Sequence, residues 1–315
     1  MSEKPLISYY GGKQRIASKI VERIRQIPHT VYAEPFAGGL AVLFAKGKPA
    51  VTNADHYREA VNDHDERLIT LYRVARTQPD ELQRWIDLTP YSQSEHTRAK
   101  QWLKEPGHTE LELAWAYYVN IQMSFANICD AGWGIGVMGR NMAATWNNKQ
   151  QRLPEAMERL RSVHIACEDA IRFIQRWDSP QTLFYCDPPY PNTYQGDYDG
   201  YTLVDWQRLC DALDNCQGSY VLSNYDQTTS PHSAHQRVEI RAVSSAKKPR
   251  QDKTRKTERT NNERVEVLWI CDRSASIRAD LAPVLQRIAT SEGTSQIELL
   301  IRLSGSGSHT PTLNP

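Results

Sequence analysis

The chain has 315 residues, 40% hydrophobic and 24% charged, with 38 Lys/Arg against 37 Asp/Glu and a formal net charge of +1. That describes a soluble globular protein, and no apolar run approaches the roughly 20 residues of a membrane span. A balanced total argues neither for nor against a nucleic-acid partner, because the placement of charge decides. The six cysteines show no CxxC or Cys/His metal spacing. The expectation is reduced, metal-free thiols in a cytoplasmic protein. Lys4, Lys13, Arg15 and Lys19 are not followed by an apolar signal core, so no secretion signal is expected.

Taken in chain order, LISYYGGK at residues 6–13 reads as a short strand ending in a Gly-Gly turn. A helix follows, with Ile16, Ile20 and Ile24 at helical spacing. VYAEPF is a second strand, and AGGLAV leads from it into a helix. EAVNDHDERLITLYRVAR holds a third strand-to-helix switch at Asn62-Asp63. Residues 77–162 differ and are mainly helical. Within them Thr109 and Glu112 form a capping box, and Leu111, Trp115 and Tyr118 share one face. The Gly-rich ANICDAGWGIGVMGRN that follows cannot be a regular helix.

Strand-helix alternation resumes with TLFYCD, a helix capped by Thr202 with Trp206, Leu209 and Leu213 inward, and the strands SYVLSNYD and RVEVLWI. The expected class is therefore α/β, with a mostly parallel sheet and helices on both faces. One domain spans residues 1–76 plus 163–275, and the helical insert at 77–162 interrupts it. Residues 276–303 read as a C-terminal helical extension and 304–315 as a disordered tail.

Ligands of open α/β sheets sit outside the carboxyl ends of the strands. Those ends carry Tyr9 to Lys13, Glu34 to Gly39, Asn62-Asp63, Glu168-Asp169, Asp187 to Tyr190 and Ser223 to Asp226. Gly38-Gly39 allows a close backbone approach to a ligand, or simply a tight turn. GxGxxG is absent, and GGKQ lacks the spacing of a phosphate-binding loop. Asp63 suits ribose hydroxyls, or it caps a helix. At 187–190 two prolines fix the chain direction. Asp187 and the Pro188 carbonyl then offer two acceptors to an –NH2 group, and Tyr190 offers a face for a planar base.

These motifs resemble the Dam-type adenine-specific DNA methyltransferases, which use S-adenosylmethionine. The matching segments are YYGGK, EPFAGG, NDHDERLI, DPPY at 187–190 and SNYD, in the family's order. The resemblance implies a Rossmann-like methyltransferase domain interrupted by a target-recognition insert. It implies that Tyr9 and Lys13 contact the cofactor or shape its pocket, that Phe36 and Gly38 line its methionine end, and that Asp63 holds the ribose, with Asp55 as a rival. Asp169 would lie near the cofactor's adenine. Asp187 and Pro188 would hold the target amine, with Asp187 also bordering the cofactor, and Tyr190 would stack on the base.

The function implied is methylation of adenine N6 in DNA, on a base flipped out of the duplex, without a metal. The sequence leaves the host setting open among a restriction-modification system, a phage and a regulator. Rivals are methylation of RNA adenine, methylation of a protein glutamine, whose enzymes tend to carry Asn in place of Asp187, and a nucleic-acid-binding module without catalysis. Two segments are expected to meet DNA. Around the Gly-rich stretch, Trp133 and Trp146 interleave with Arg140, Asn141, Asn147, Asn148 and Lys149. There Arg140 is the expected base reader, unless the stretch is a surface loop whose tryptophans pack inward. Residues 247–259 carry a net +5. Lys253, Arg255 and Lys256 would contact phosphates, or the segment is a solvated loop.

Overall fold

The computed structural model describes residues 4–9, 11–48, 57–136, 141–191, 200–225, 229–243 and 263–274. Seven strands form one sheet in the order β3-β2-β1-β4-β5-β7-β6. They are β1 (Val31–Glu34), β2 (Arg58–Asn62), β3 (Val163–Ala166), β4 (Thr182–Cys186), β5 (Ser219–Asn224), β6 (Gln236–Val243) and β7 (Glu263–Cys271). The first five in that order run parallel. β7 is antiparallel to both β5 and β6. This is a Rossmann-like arrangement with one antiparallel strand pair at its edge. The central strands β1, β4 and β5 are buried at every residue, as apolar runs covered on both faces must be.

Ten helices accompany the strands among the described residues: α1 (Ala17–Ile24), α2 (Ala41–Lys46), α3 (Glu66–Thr77), α4 (Pro79–Asp87), α5 (Gln93–Trp102), α6 (Glu110–Met123), α7 (Met142–Gln150), α8 (Leu153–Leu160), α9 (Ala170–Trp177) and α10 (Leu203–Asn215). α9 and α10 cover one face, where Phe173, Trp206, Leu209 and Leu213 meet Phe184 and Tyr220. α1 to α3 cover the other and share a continuous apolar core with α4 to α8.

Two local expectations change. Leu6 and Ile7 are buried, yet residues 4–9 form no strand. The Ser8 carbonyl accepts from Gln122 Nε2 at 3.1 Å instead of from a ladder, and the inner strands are already paired on both sides. α6 keeps its predicted capping box but is buried all round from Ala114 to Met123. Helices α3, α4 and α5 pack around it, so it is the central rod of the insert rather than an amphipathic cover. β6 is a strand the sequence reading lacked. Its alternation is plain: Arg237, Glu239 and Arg241 are exposed while Ile240 is buried, which suits a charged edge strand.

Candidate functional site

The strand order reverses between β1 and β4, where the crevice of such a sheet lies. Asn62, ending β2, stitches its rim. Its Nδ2 donates to the carbonyls of Pro35 and Glu168, both at 3.0 Å, and its Oδ1 accepts from Glu168 N at 2.9 Å. Asp63 follows, 4% exposed. Its carboxylate accepts from Gly38 N at 2.9 Å and Asp65 N at 3.1 Å. The helix cap that competed with its ligand role belongs to Asp65, which accepts from Arg67 N. Asp63 instead straps the glycine turn to β2. Burial raises its pKa, against the pull of the two N–H donors.

Gly38 sits at φ +44° and its carbonyl accepts from the Tyr72 hydroxyl. At Gly39 an added Cβ would lie 2.8 Å from the Tyr9 Cβ, so the glycine permits Tyr9 to pack against the turn. Phe36 meets Tyr201 edge-on at 6.4 Å.

At the end of β3 the two acids divide their roles. The exposed Asp169 caps α9 through Ile171 N at 3.0 Å and Arg172 N at 3.2 Å. Glu168 pairs through Oε2 with Arg176 at 3.1 Å, while its Oε1 is buried without a partner.

A second cluster gathers beside β4. Lys13 Nζ lies 2.7 Å from Asp187 Oδ1, 3.5 Å from Glu266 Oε1 and 4.9 Å from the Tyr190 ring centre. The Tyr190 hydroxyl donates to Glu266 Oε1 and stands 3.0 Å from Asp187 Oδ1. Ser223 donates to the same Glu266 oxygen at 2.8 Å. Tyr225 meets the Tyr190 ring edge-on at 4.6 Å. Burial lowers the Lys13 pKa, but Asp187 and Glu266 outweigh it and hold the ammonium above its usual value. Burial, with those same carboxylates, pushes the Tyr190 hydroxyl well up, so it remains a donor.

Asp187, Tyr190 and Lys13 thus meet in one cluster, although the resemblance assigned Lys13 to the cofactor pocket and Asp187 and Tyr190 to the target base. Glu266 was missed. Its signal is a charge in phase with the buried Leu268 and Ile270 of β7.

Beneath both clusters, Glu34 ends β1 fully buried, and the Tyr32 hydroxyl donates to it at 2.7 Å. Burial raises its pKa from 4.5 to about 8, with Glu59 and Asp187 adding repulsion against that hydrogen bond. The folded chain therefore holds a proton that the unfolded chain has lost between those values. This contribution to stability is complete below the unfolded pKa, falls as pH rises through the window, and levels off above it. Glu34→Gln should remove that slope. Its melting temperature relative to wild type should rise between about pH 5 and about pH 8.5, and a constant difference would refute the assignment.

The segments assigned to DNA fare unevenly. Arg140, Lys253, Arg255, Lys256 and Asp55 lie outside the described residues. Trp133 is half-buried, tilted over Tyr91 at 5.6 Å. Trp146 is buried and donates to the Thr89 carbonyl at 2.8 Å, so it packs the insert and does not interleave with surface groups. Asn141 caps α7 through Ala144 N at 3.1 Å. Lys149 reaches Gln122 O and Asn127 Oδ1, both at 3.4 Å, and burial lowers its pKa to about 8. That makes it a strut for the turn. The Gly-rich turn is pinned by an antiparallel bridge between Ser124 and Trp133, and it leaves Phe125 and Ile135 well exposed.

A model of the D12 class N6 adenine-specific DNA methyltransferases matches residues 9–240. The chain belongs to that family. Among solved structures, the rRNA methyltransferase aviRa from Streptomyces viridochromogenes is similar at 10% identity, over 84% of this chain and 86% of that one, with a TM-score of 0.36. No curated protein matches the chain. D12 class membership implies S-adenosylmethionine as the methyl donor in general terms. Among the described residues no helix is long and apolar enough to cross a membrane, and no group of His, Cys, Asp or Glu is placed to hold a metal.

Proposed function

We propose that the chain is a DNA adenine-N6 methyltransferase that acts on a base flipped out of the duplex. The observation that carries this reading is the bond from the Lys13 ammonium to Asp187 Oδ1 at 2.7 Å. A carboxylate beside two prolines is already accepting an N–H, which is what a target amine must present to it. Tyr190 stands next to it with its ring held between Lys13 and Tyr225.

The crevice residues fit S-adenosylmethionine. A buried carboxylate at Asp63 suits vicinal hydroxyls, the glycine turn admits a close ligand, and the orphaned Glu168 Oε1 awaits a donor. Asp63 would hold the ribose, with Phe36 and the Gly38 backbone at the methionine end. Glu168 is the better partner than Asp169 for the adenine amino group, because Asp169 already caps α9. Tyr9 shapes the pocket by pressing on the turn. The bound cofactor supplies an electrophilic methyl group on a sulfonium.

Catalysis by the chain's own groups is positioning and charge stabilisation. Asp187 and the Pro188 carbonyl would accept both N6 protons, which localises the nitrogen lone pair and stabilises positive charge as it develops there. The insert would read the target sequence. Its pinned turn would offer Phe125 and Ile135 to DNA with Trp133 and Asn141, and Arg140 would read a base. Lys253, Arg255 and Lys256 would contact phosphates.

The purified chain, incubated with labelled S-adenosylmethionine and duplex DNA, RNA or protein, should place label in N6-methyladenine of DNA. Label confined to RNA or to protein glutamine would overturn the reading. Asp63→Ala should weaken cofactor binding by about ten- to a hundredfold, since a charged hydrogen bond contributes roughly 1.5–3 kcal/mol. Unchanged affinity by calorimetry would remove Asp63 from the site.

A further inference from the structure

The pocket beside β4 holds one cation and two carboxylates. The side chains of Lys13, Asp187 and Glu266 are 10%, 20% and 8% exposed. Glu266 comes from β7, outside the parallel part of the sheet. Two hydroxyls, those of Tyr190 and Ser223, donate to its Oε1, and Lys13 Nζ lies 3.5 Å from the same oxygen as an ion-pair partner. Two donors and a nearby ammonium around one oxygen suit a carboxylate.

Two physical demands meet there. A target amine that docks on Asp187 Oδ1 meets the ammonium already bound there at 2.7 Å, and Lys13 then shifts toward another acceptor. Glu266 Oε1 is 3.5 Å from Nζ, a small displacement for a four-carbon side chain. The second demand is charge. In the transfer, the N6 lone pair forms the new N–C bond while the methyl–sulfur bond breaks with its electron pair going to sulfur. One N6 proton then leaves to water from the cationic amine. An unbalanced ammonium beside Asp187 would oppose that cation, whereas a second acid beside the lysine offsets its charge.

We infer that Glu266 is a positioning residue for methyl transfer: it takes Lys13 off Asp187 when the target amine docks, and it offsets the lysine's charge during transfer. The inference rests on the proposed methyltransferase function. Burial pushes the Glu266 pKa up with Asp187 adding to it, while Lys13 and the Tyr190 and Ser223 hydroxyls oppose the rise.

The test compares wild type, Glu266→Gln and Lys13→Gln/Glu266→Gln, as full chains, by cofactor calorimetry and steady-state transfer to duplex DNA. Glutamine keeps an acceptor for Tyr190 and Ser223 but carries no charge. A purely structural Glu266 would therefore leave Glu266→Gln with kcat within about threefold of wild type, which overturns the inference. The expected result is kcat lower by at least about tenfold, with cofactor Kd and the KM for DNA within about threefold of wild type. The double variant, which loses one charge of each sign, should exceed the kcat of Glu266→Gln by at least about threefold and lie within about tenfold of wild type, and a value below either bound overturns the inference. The bound against wild type decides alone if the single variant does not fold. Wild type without transfer to DNA would instead overturn the underlying function.

Discussion

Asp187→Ala is expected to lower kcat by at least about 10²–10³-fold while changing cofactor affinity little. In the proposed function the carboxylate would accept from the nitrogen where charge appears during transfer, so its loss should be felt in the transition state more than in binding. The pocket should survive the change. Lys13 keeps Glu266 at 3.5 Å, and Tyr190 keeps its bond to the same oxygen. Nor is Asp187 part of the strap that forms the nucleoside crevice, where Asn62 and Asp63 carry the hydrogen bonds. Calorimetry with S-adenosylmethionine and a single-turnover assay with labelled methyl donor separate the two quantities. Transfer at near wild-type rate would remove Asp187 from the chemistry. Cofactor binding lost in parallel with activity would make it a structural residue of the crevice.

How far the sequence was legible follows from the kind of signal each group leaves. DPPY, EPFAGG and NDHDERLI are contiguous, and each lies where a strand gives way to a turn, so local chemistry and position coincide. Asp187, Tyr190, Gly38 and Asp63 could be read for that reason. Glu266 is distant from Asp187 in the chain, and only the antiparallel return of β7 beside β5 brings it to the pocket. A strand reading of RVEVLWI identifies the element but not its neighbour. The all-round burial of α6 was illegible for a similar reason. The sequence placed Leu111, Trp115 and Tyr118 on one face, whereas the wrapping by α3, α4 and α5 is a tertiary fact. Asp169 and Asn141 show the converse. Asp169 was placed near the cofactor's adenine by resemblance and Asn141 toward DNA by residue type, and both satisfy helix N-termini, a role equally open to Asp and Asn. Trp146 was set among polar residues by sequence, yet the helical period of α7 turns it inward onto Thr89 while Asn147 and Asn148 remain exposed.

Glu59→Ala should be the most destabilising single change in the sheet, at about 3–5 kcal/mol. Glu59 is 3% exposed and its carboxylate is shared by two cations. Arg159 of α8, wholly buried, lies 2.7 Å from Oε2, and Lys46 at the end of α2 lies 3.2 Å from Oε1. Lys46 also sits 4.9 Å from the Tyr32 ring centre and 4.6 Å from that of Tyr57. Burial lowers the Lys46 pKa, and Glu59 is the main group opposing that shift. Removing the acid leaves an arginine that cannot shed its proton facing a lysine of the same sign, with no carboxylate between them. The consequence is spatially specific, because the triad ties β2 to a helix on either side of it in the chain, one of them from the insert. Denaturant unfolding followed by far-UV dichroism gives the loss directly. Glu59→Gln keeps two polar atoms in place and should lose less than Glu59→Ala, though more than an exposed acid would. A loss under about 1 kcal/mol for Glu59→Ala would mean that water or a rearranged Glu34 takes over the two cations, and that the triad does not hold the insert to the sheet.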